Sequence, residues 1–530
     1  MRKSLLTFGL AASTLATLAV PLGGANADAG HPRVRKIQPT ALPQIGQVAE
    51  RYQSYNVESV EVTGGNFWAP YPKAGEAPPK PAVGPHGTEF ATDAYQKREP
   101  IDLRNRRLRV LAKGLAPSYM RVSGSWANAI HFQDDDAAPR PAPAGYQGVL
   151  TRKQWAGVIE FGKAVDARVL TSFAVSDGAR SKDGAWNPEG ARRLFDFTRS
   201  IGGRIDAVEL MNEPNVRPKP YAPADFARDH RALRTLLRDV SPSTLLVGPG
   251  STGEAGFKLF ANLPEQMSTM RLLSAMEPST FDVFSHHFYG AVSERCKSLG
   301  ERRGTDVTTS EADALTESWL ARADQAQSFY RNVREKVAPG APIWITEMAQ
   351  TACGGDRWSS TFVDTFRYVD QLGRLAKQDV SIVFHNTLAA SDYALIDDRT
   401  WLPRPNYWAA LLWRRTMGTK VLDAGTNQGT LHVYAHCQRG VSGGVTVVAI
   451  NLDQGVPAAL ELGGPVRRFT LTAAGDANEA AALNGRRLAL VGGKALPRLV
   501  PVMERRGLIN LPPASISFME MPRAGNTGCQ

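Results

Sequence analysis

Short apolar segments alternate with amphipathic segments from about residue 55 to residue 415, and this rhythm restricts the folds open to the chain. Eight of the apolar segments have the length of a strand and few polar residues, as strands buried on both faces of a parallel sheet do. They are Val57–Thr63, Tyr119–Val122, Val169–Val175, Ala207–Leu210, Leu245–Val247, Phe281–Ser285, Pro342–Thr346 and Val380–Phe384. The alternation predicts an α/β fold, a (β/α)8 TIM barrel over residues 56–417.

The pattern changes after about residue 419, where strand-like segments follow one another without a long helix between them. These segments are Leu431–His436, Val445–Leu452, Arg468–Leu471, Leu488–Val491 and Ser515–Met519. Short strands separated by turn residues are typical of a sandwich, so we expect an appended β-sandwich domain at residues 418–530. Residues 28–55 precede the barrel and could add a strand to this sandwich.

Two glutamates follow strand-like segments at positions that suit catalysis. Glu213 follows the fourth segment, within Asn-Glu-Pro-Asn at residues 212–215, and Glu347 ends the seventh. All strands of a barrel end at one face, so both side chains can reach the same space. A retaining glycosidase needs two carboxyls about 5–5.5 Å apart, one as acid/base and one as nucleophile. A solvated glutamate would explain either position alone, but the pair favours Glu213 as acid/base and Glu347 as nucleophile.

Other polar residues near these segment ends are candidates for substrate binding. Asn212 offers an amide to a sugar hydroxyl or to the nucleophile. His286, His287 and Tyr289 end the sixth segment, and a histidine or the phenol there could hydrogen-bond the nucleophile. A core histidine beside a packing aromatic is the alternative. Arg121, on the second segment, could line the sugar site or form an ion pair inside the barrel.

The N-terminus has the features of a secretion signal. Basic residues at positions 2 and 3 precede an apolar run from residue 5 to residue 20, and Ala-Asn-Ala at residues 25–27 offers a cleavage site. The run is too short and too interrupted for a membrane span. We therefore expect a signal peptide over residues 1–27 and a secreted or periplasmic protein without a membrane partner.

The composition excludes some partners and cofactors. The net charge of +11 could attract an acidic polymer, but compositional drift explains it equally well. Because the basic residues are spread along the chain without a nucleic-acid motif, we expect no nucleic-acid partner. The chain lacks a Cys-x-x-Cys motif, which argues against zinc, and neither His432 with His436 nor the histidines of the sixth segment have a further ligand nearby in the sequence. We therefore expect no metal, and two carboxylates with water need no cofactor. We expect a monomer.

Longer motifs accompany the two glutamates. They are residues 111–121, 286–289, 405–408, 431–437 and 449–452. With these motifs the chain resembles the heparanase/β-glucuronidase family, glycoside hydrolase family 79 of clan A, from about Val57 to the C-terminus. The resemblance implies a barrel with an appended β-sandwich and a secreted retaining β-glucuronidase. Such an enzyme cleaves β-linked glucuronic acid in acidic polysaccharides or glycans through a covalent intermediate, with Glu213 as acid/base and Glu347 as nucleophile.

The resemblance also implies a site for the uronic carboxylate. Gly354, Gly355 and Tyr393 match the glycine pair and the tyrosine with which family members bind this group. Glycine lets backbone N–H groups approach an anion, and a phenol adds a donor. For the glycine pair alone, a flexible turn is the alternative. The chain departs from heparanases at Ser391 and Asp392, which stand where Gly-Asn is usual, and Asp392 places a negative charge near an anionic sugar.

Export makes the four cysteines, Cys296, Cys353, Cys437 and Cys529, potential disulfide partners. Spacing does not choose among the three possible pairings. The family resemblance implies a bridge between Cys437 and Cys529 in the β-sandwich. That would leave Cys296 and Cys353 as a possible second bridge.

Two other functions compete with the glucuronidase. One is another clan A retaining glycosidase for a neutral sugar, of the β-xylosidase or β-glucosidase type. The other is a catalytically inactive, carbohydrate-binding barrel, against which the presence of both glutamates argues. The proline-rich stretch at residues 67–86 could close one end of the cleft or add subsites, so the sequence does not decide between exo and endo cleavage. It also does not identify which glucuronic-acid polymer is the substrate.

Overall fold

The computed structural model describes residues 34–72, 82, 94–216, 221–254, 267–298, 307–475, 479–505 and 507–530. The predicted signal peptide and most of the proline-rich stretch at residues 67–86 lie outside the described residues. Within the described ranges, we find no helix with the length and apolar character that crossing a membrane requires.

Eight parallel strands of the described chain close into a barrel. We number them barrel strands 1–8: Gln53–Glu58, Ser118–Ser123, Ala167–Ser172, Ala207–Glu209, Leu245–Ser251, Val283–Tyr289, Ile343–Ala349 and Val380–His385. The helices that follow them are, in order, Arg106–Gly114, Arg152–Val165, Glu189–Ser200, Pro223–Val240, Thr269–Leu272, Arg322–Val337, Phe362–Ala376 and Pro405–Thr416. The predicted α/β class and TIM barrel are confirmed.

Shorter elements decorate the ends of the barrel. Additional α-helices that lie wholly within the described ranges are Ser59–Thr63 and Glu317–Leu320. Single turns of 3-10 helix are formed by Pro39–Ala41, Ser125–Ala129, Asp177–Ala179, Glu294–Cys296, Glu311–Asp313, Arg357–Ser360 and Thr527–Cys529. Two small sheets extend the loops after barrel strands 1 and 2, namely Gly65–Trp68 with Tyr95–Arg98 and Ile130–Gln133 with Gly148–Thr151.

The first barrel strand begins and ends earlier than the sequence predicted. The structure has a strand at Gln53–Glu58 and a helix at Ser59–Thr63, where the sequence analysis placed a strand over Val57–Thr63. The β-branched residues of this segment favoured a strand. A capping box between Glu58 and Glu61 starts a helix there instead. Glu58 consequently ends barrel strand 1 at the face where active sites lie.

Two sheets form the appended β-sandwich. The larger contains Gln44–Gln47, Met417–Leu422, Leu431–Gln438, Val445–Asn451, Ser515–Met521, Val466–Ala474, Ala480–Leu483 and Arg486–Arg487 in this spatial order, with Val502–Glu504 beside Val466–Ala474. The smaller contains Val34–Ile37, Ala458–Leu462 and Gly507–Leu511. Apolar side chains of both sheets, such as Val433 and Leu460, share one core. The predicted sandwich is confirmed, although Leu488–Val491 is not a strand.

The other face of the larger sheet packs against helices Phe362–Ala376 and Pro405–Thr416. Buried Asp370 on the first helix accepts a 2.6 Å hydrogen bond from the hydroxyl of Tyr434 and lies 2.6 Å from Nδ1 of His432. Burial raises the pKa of Asp370, but His432 and Arg374 more than offset this and hold it below its usual value. This charged contact couples the sandwich to the barrel.

The described chain contains two disulfides. Cys437 pairs with Cys529 inside the sandwich, as the family resemblance implied. Cys296 pairs with Cys353 and links the loops after barrel strands 6 and 7. Disulfides form in oxidising compartments, which is consistent with the predicted export.

Candidate active site

Glu213 and Glu347 lie at the C-terminal face of the barrel, after barrel strand 4 and near the end of barrel strand 7. One oxygen of each carboxylate and one ring nitrogen of His287 all lie within 4.8 Å of one another. An oxygen–oxygen distance of at most 4.8 Å is compatible with the roughly 5–5.5 Å between the carboxyl groups of retaining enzymes and is shorter than the roughly 6.5–9.5 Å of inverting ones. The side chains of Glu213 and Glu347 are 21% and 10% exposed, so a ligand can reach both.

Two donors fix the carboxylate of Glu347. Nη1 of Arg121 donates to Oε2 at 3.0 Å, and the hydroxyl of Tyr289 donates to Oε1 at 2.5 Å. Burial and the charge of Glu347 raise the pKa of Tyr289, so its hydroxyl keeps the proton that it donates. Asn386 in turn donates to this hydroxyl at 2.9 Å. The two donors therefore hold the carboxylate in one orientation, as a nucleophile requires.

Arg121 connects the nucleophile candidate to the strand-4 region. It donates to Glu209 at 2.9 Å and to Oδ1 of Asn212 at 2.7 Å as well as to Glu347. Burial lowers the pKa of Arg121, but the charges of Glu209 and Glu347 more than offset this and raise it. The ion-pair interpretation of Arg121 applies, because its fully buried side chain orients Glu347 and Asn212 and does not itself line a sugar site. Glu209, an acid within a buried strand, was missed by the sequence analysis.

The backbone of Glu213 adopts a conformation that non-glycine residues rarely take, with a φ of 47°. Asn128 holds the preceding residue in place, because its amide accepts from the backbone N–H of Asn212 at 2.8 Å and donates to the Asn212 carbonyl at 3.0 Å. Such strained residues occur mainly at functional sites, where surrounding contacts maintain them. Nothing in the sequence singled out Asn128.

The two histidines of barrel strand 6 have different environments, because successive side chains of a strand point to opposite faces. Nδ1 of His287 lies 3.0 Å from Oε1 of Glu213. His286 instead stacks on Tyr330 at 4.2 Å and contacts Gln327. The core-histidine interpretation therefore applies to His286 but not to His287.

Glu213, His287 and Glu347 form the one group of three potential metal ligands found among the described residues. Both oxygens of Glu347 already accept hydrogen bonds, one of them from a guanidinium at 3.0 Å. That buried positive charge repels a second cation. The arrangement therefore fits proton transfer and covalent chemistry better than metal binding.

Gly354 and Gly355 form a tight turn after barrel strand 7. Their φ values are 86° and 85°, and Cys353 before them has a φ of 65°. A Cβ on Gly354 would lie 2.6 Å from Cβ of Trp68, and one on Gly355 would lie 2.5 Å from Oγ of Ser359. Conformation and packing both require glycine, so this is not a flexible turn. Neither glycine N–H donates a hydrogen bond to any residue of the described ranges.

Tyr393 belongs to the same hydrogen-bond network as Glu347. Asn386 donates to the hydroxyl of Tyr393 at 3.2 Å and also to that of Tyr289. Burial and the charges of Glu58 and Glu347 raise the pKa of Tyr393. Because Tyr393 accepts from Asn386, its own proton can be donated to a ligand. Asn386 follows barrel strand 8 and was not identified from the sequence.

The negative charge of Asp392 has a partner. Its Oδ2 lies 2.9 Å from Nη2 of Arg295 and accepts from the backbone N–H of Tyr71 at 2.9 Å. Burial raises the pKa of Asp392, and the nearby guanidinium opposes this shift. The predicted conflict between Asp392 and an anionic sugar is therefore reduced by Arg295, another residue that the sequence analysis missed.

Aromatic side chains from the loops after barrel strands 1 and 2 border this region. Trp68 stacks on Tyr95 with ring centroids 4.4 Å apart, and Phe67 meets the edge of Trp126 at 5.3 Å. Trp68 also packs on Gly354. Phe67 and Tyr95 are buried, whereas Trp68 and Trp126 keep part of their surface exposed.

Glu58 is a further acid close to the site. Burial, followed by the charge of Glu347, raises its pKa well above the usual value. A Cβ on Gly124 would lie 1.5 Å from its Oε2, so the glycine leaves space for this carboxyl. The sequence analysis missed Glu58 because it treated this residue as part of a strand interior.

Comparison with known proteins places this site in a family. The family model described as "Glycosyl hydrolase family 79, N-terminal domain" matches residues 99–373. Heparanase-like protein 1 of Arabidopsis thaliana is 27% identical over 372 residues. The match covers 67% of this chain and 65% of that protein, so this chain spans just under two thirds of that relative's length. Baicalin-beta-D-glucuronidase of Scutellaria baicalensis is 24% identical, with 80% of this chain and 84% of that protein covered.

A solved structure shares the fold. The 4-O-alpha-L-rhamnosyl-beta-D-glucuronidase of Fusarium oxysporum 12S aligns with a TM-score of 0.60 at 15% identity, over 91% of this chain and 99% of that chain. At this identity the likeness concerns the fold alone. The family model, by contrast, matches more than half of the 530 residues, so this chain belongs to glycosyl hydrolase family 79.

Proposed function

We propose that this protein is a secreted retaining β-glucuronidase that hydrolyses β-linked glucuronic acid in acidic glycans. The observation that carries the proposal is the pair of carboxylates within 4.8 Å at the mouth of the barrel. The proposed catalytic barrel runs from barrel strand 1, which begins at Gln53 and not at residue 56, to the helix that ends at Thr416. The β-sandwich combines residues 417–530 with Val34–Ile37 and Gln44–Gln47. A relative named as a β-D-glucuronidase supports the substrate class.

In the first step, Glu347 attacks the anomeric carbon while Glu213 gives its proton to the glycosidic oxygen, and the aglycone leaves. The product is a glycosyl ester of Glu347 with inverted configuration. Arg121 and Tyr289 orient the attacking carboxylate through hydrogen bonds of 3.0 and 2.5 Å. Glu347 loses its negative charge when the ester forms. The two donors therefore lie beside the atoms at which this charge changes.

In the second step, Glu213 takes a proton from water as the water attacks the same carbon and the ester bond to Glu347 breaks. Two inversions give net retention, and Glu213 regains its proton. Nδ1 of His287 lies 3.0 Å from Oε1 of Glu213. This nitrogen can accept a hydrogen bond from the protonated carboxyl before the first step and donate one to the carboxylate before the second.

The uronic carboxylate is proposed to bind at the turn formed by Gly354 and Gly355, beside Tyr393. The two glycine N–H groups lack protein acceptors among the described residues, and Tyr393 can donate a proton. Hydrogen bonds to a charged acceptor are stronger than those to a neutral one. This arrangement favours an acidic sugar over a neutral one, and Arg295 limits the repulsion from Asp392.

A panel of p-nitrophenyl β-D-glycosides tests the proposal. We expect p-nitrophenyl glucuronide to be hydrolysed with a kcat/KM at least about tenfold above that for the glucoside and the xyloside. Turnover of the glucoside or xyloside without the glucuronide would instead identify a clan A enzyme for neutral sugars. A protein that binds glucuronides without hydrolysing any of the three would be an inactive carbohydrate-binding barrel.

Replacement of Tyr393 by phenylalanine is expected to lower kcat/KM for the glucuronide by roughly 10- to 100-fold, because a hydrogen bond to the carboxylate is lost. The glucoside and xyloside, which lack a carboxylate, should lose much less. Tyr407→Phe is a matched control, since the buried Tyr407 hydroxyl donates to the Leu111 carbonyl and not to a site residue. Equal losses on all substrates would remove Tyr393 from carboxylate recognition.

A further inference from the structure

The Cys296–Cys353 disulfide ties the loop after barrel strand 6 to the loop after barrel strand 7, with Cα atoms 6.5 Å apart. Backbone hydrogen bonds join the same two loops beside it, since the N–H of Ser293 donates to the Ala352 carbonyl at 3.0 Å. The N–H of Glu294 also donates to a side-chain oxygen of Asp356 at 2.8 Å. The bridge therefore belongs to a rigid junction.

This junction directly precedes the turn at residues 353–355. Cys353, Gly354 and Gly355 have φ values of 65°, 86° and 85°, three consecutive residues in the left-handed region. Such a conformation is unfavourable for cysteine unless its surroundings maintain it. The far end of the turn is also fixed, because the N–H of Asp356 donates to Oε1 of Gln350 at 2.8 Å. Between these anchors, the backbone N–H groups of Cys353, Gly354 and Gly355 have no acceptor among the described residues.

The residue next to Cys296 contributes the charge at this junction. Arg295 lies 2.9 Å from Asp392, contacts the Gly355 carbonyl at 3.4 Å and stacks on the ring of Tyr71 at 3.9 Å. Its side chain is 5% exposed and that of Asp392 is 9% exposed. The N–H of Asp392 donates to the Gly354 carbonyl at 3.1 Å. The ion pair is thus bonded to both glycines of the turn.

We propose that the Cys296–Cys353 disulfide and the Arg295–Asp392 ion pair act as one specificity device, here called the uronate clamp. The disulfide fixes the backbone so that the glycine N–H groups face the sugar carboxylate, and Arg295 neutralises Asp392 so that this carboxylate is not repelled. These are positioning residues that act through Gly354 and Gly355. The inference rests on the proposed function, because it requires an acidic sugar in the site.

The uronate clamp predicts that removal of the disulfide changes recognition of the acidic group and not the chemical step. For Cys296→Ser/Cys353→Ser we expect the KM for p-nitrophenyl glucuronide to rise about tenfold or more, with kcat changed less than about threefold. The inhibition constant of D-glucuronic acid should rise in parallel, whereas that of its neutral amide should stay within about twofold. Cys437→Ser/Cys529→Ser, which removes the bridge in the sandwich, is the matched control and should leave all these values unchanged.

Three results separate failure of the uronate clamp from failure of the proposed function. Wild-type protein without activity on the glucuronide would overturn the proposed function. An active wild type whose Cys296→Ser/Cys353→Ser variant keeps its KM and its preference for the acid over the amide would overturn the clamp. So would a variant in which kcat alone falls.

The ion pair offers a second test that does not depend on the folding of the disulfide variant. Arg295→Gln removes the ion-pair partner of Asp392 beside the glycine turn and leaves the charge of Arg404 to offset that carboxylate in part, so the KM for the glucuronide should rise about tenfold. Arg295→Gln/Asp392→Asn also removes the negative charge at position 392, so the KM for the glucuronide should return most of the way to the wild-type value. Thermal unfolding identifies folded variants. A double variant as impaired as Arg295→Gln would overturn the charge-neutralising role.

Discussion

Glu347→Gly is expected to abolish hydrolysis of p-nitrophenyl β-glucuronide, by on the order of 10⁴-fold or more in kcat, because no covalent intermediate can form. The variant leaves a space where the carboxylate lay, next to Arg121 and Tyr289. Azide should enter this space, attack the anomeric carbon once and release an α-glucuronosyl azide. Proton NMR of the product, through the coupling of the anomeric proton, gives its configuration.

Wild-type protein in the same azide concentration is the control, and its turnover should not increase. A Glu347→Gly variant that keeps wild-type activity without azide would contradict the assignment of the nucleophile. A β-configured azide from this variant would contradict it too, since that product requires two inversions.

Glu213→Ala is expected to produce a loss that depends on the leaving group. Natural glucuronides, whose alcohols are poor leaving groups, should lose about 10²- to 10⁴-fold in kcat/KM because protonation by a positioned acid is missing. 2,4-Dinitrophenyl glucuronide needs no proton, so its first step should be nearly unchanged and the intermediate should accumulate. Steady-state rates on a series of aryl glucuronides measure this dependence.

Azide distinguishes the two glutamates. In Glu213→Ala, azide attacks the glycosyl ester of Glu347 and should release a β-glucuronosyl azide, the opposite anomer from that expected with Glu347→Gly. Glu213→Gln, which keeps the shape of the side chain, is the control for a purely steric effect and should show the same leaving-group dependence. Equal losses on good and poor leaving groups would remove Glu213 from the acid/base role.

The barrel could be predicted because its strands are apolar and short, and burial on both faces imposes that composition. Glu213 and Glu347 could be proposed because position at a strand end is a property that the sequence displays directly. The first strand was misplaced because Glu58 and Glu61 form a capping box, and this local hydrogen bonding overrode the strand preference of the β-branched residues.

The remaining site residues depend on contacts between distant parts of the chain. Arg295 and Asp392 are 97 residues apart, and Asn128 lies 84 residues from the Asn212 backbone that it holds. No local pattern marks such partners, because each is an ordinary polar residue in a loop until the fold brings it into place. Glu209 was at least visible as an acid in a buried strand, which requires a partner such as Arg121.

Segments that precede the barrel in the sequence and segments that follow it both contribute strands to the β-sandwich. Val34–Ile37 pairs with Ala458–Leu462 in the smaller sheet, and Gln44–Gln47 pairs with Met417–Leu422 in the larger one. Topologically, the barrel is therefore an insertion into the sandwich. A fragment that starts at residue 418 would lack a strand from each sheet, and during synthesis the sandwich could not be completed until Cys529 reached Cys437.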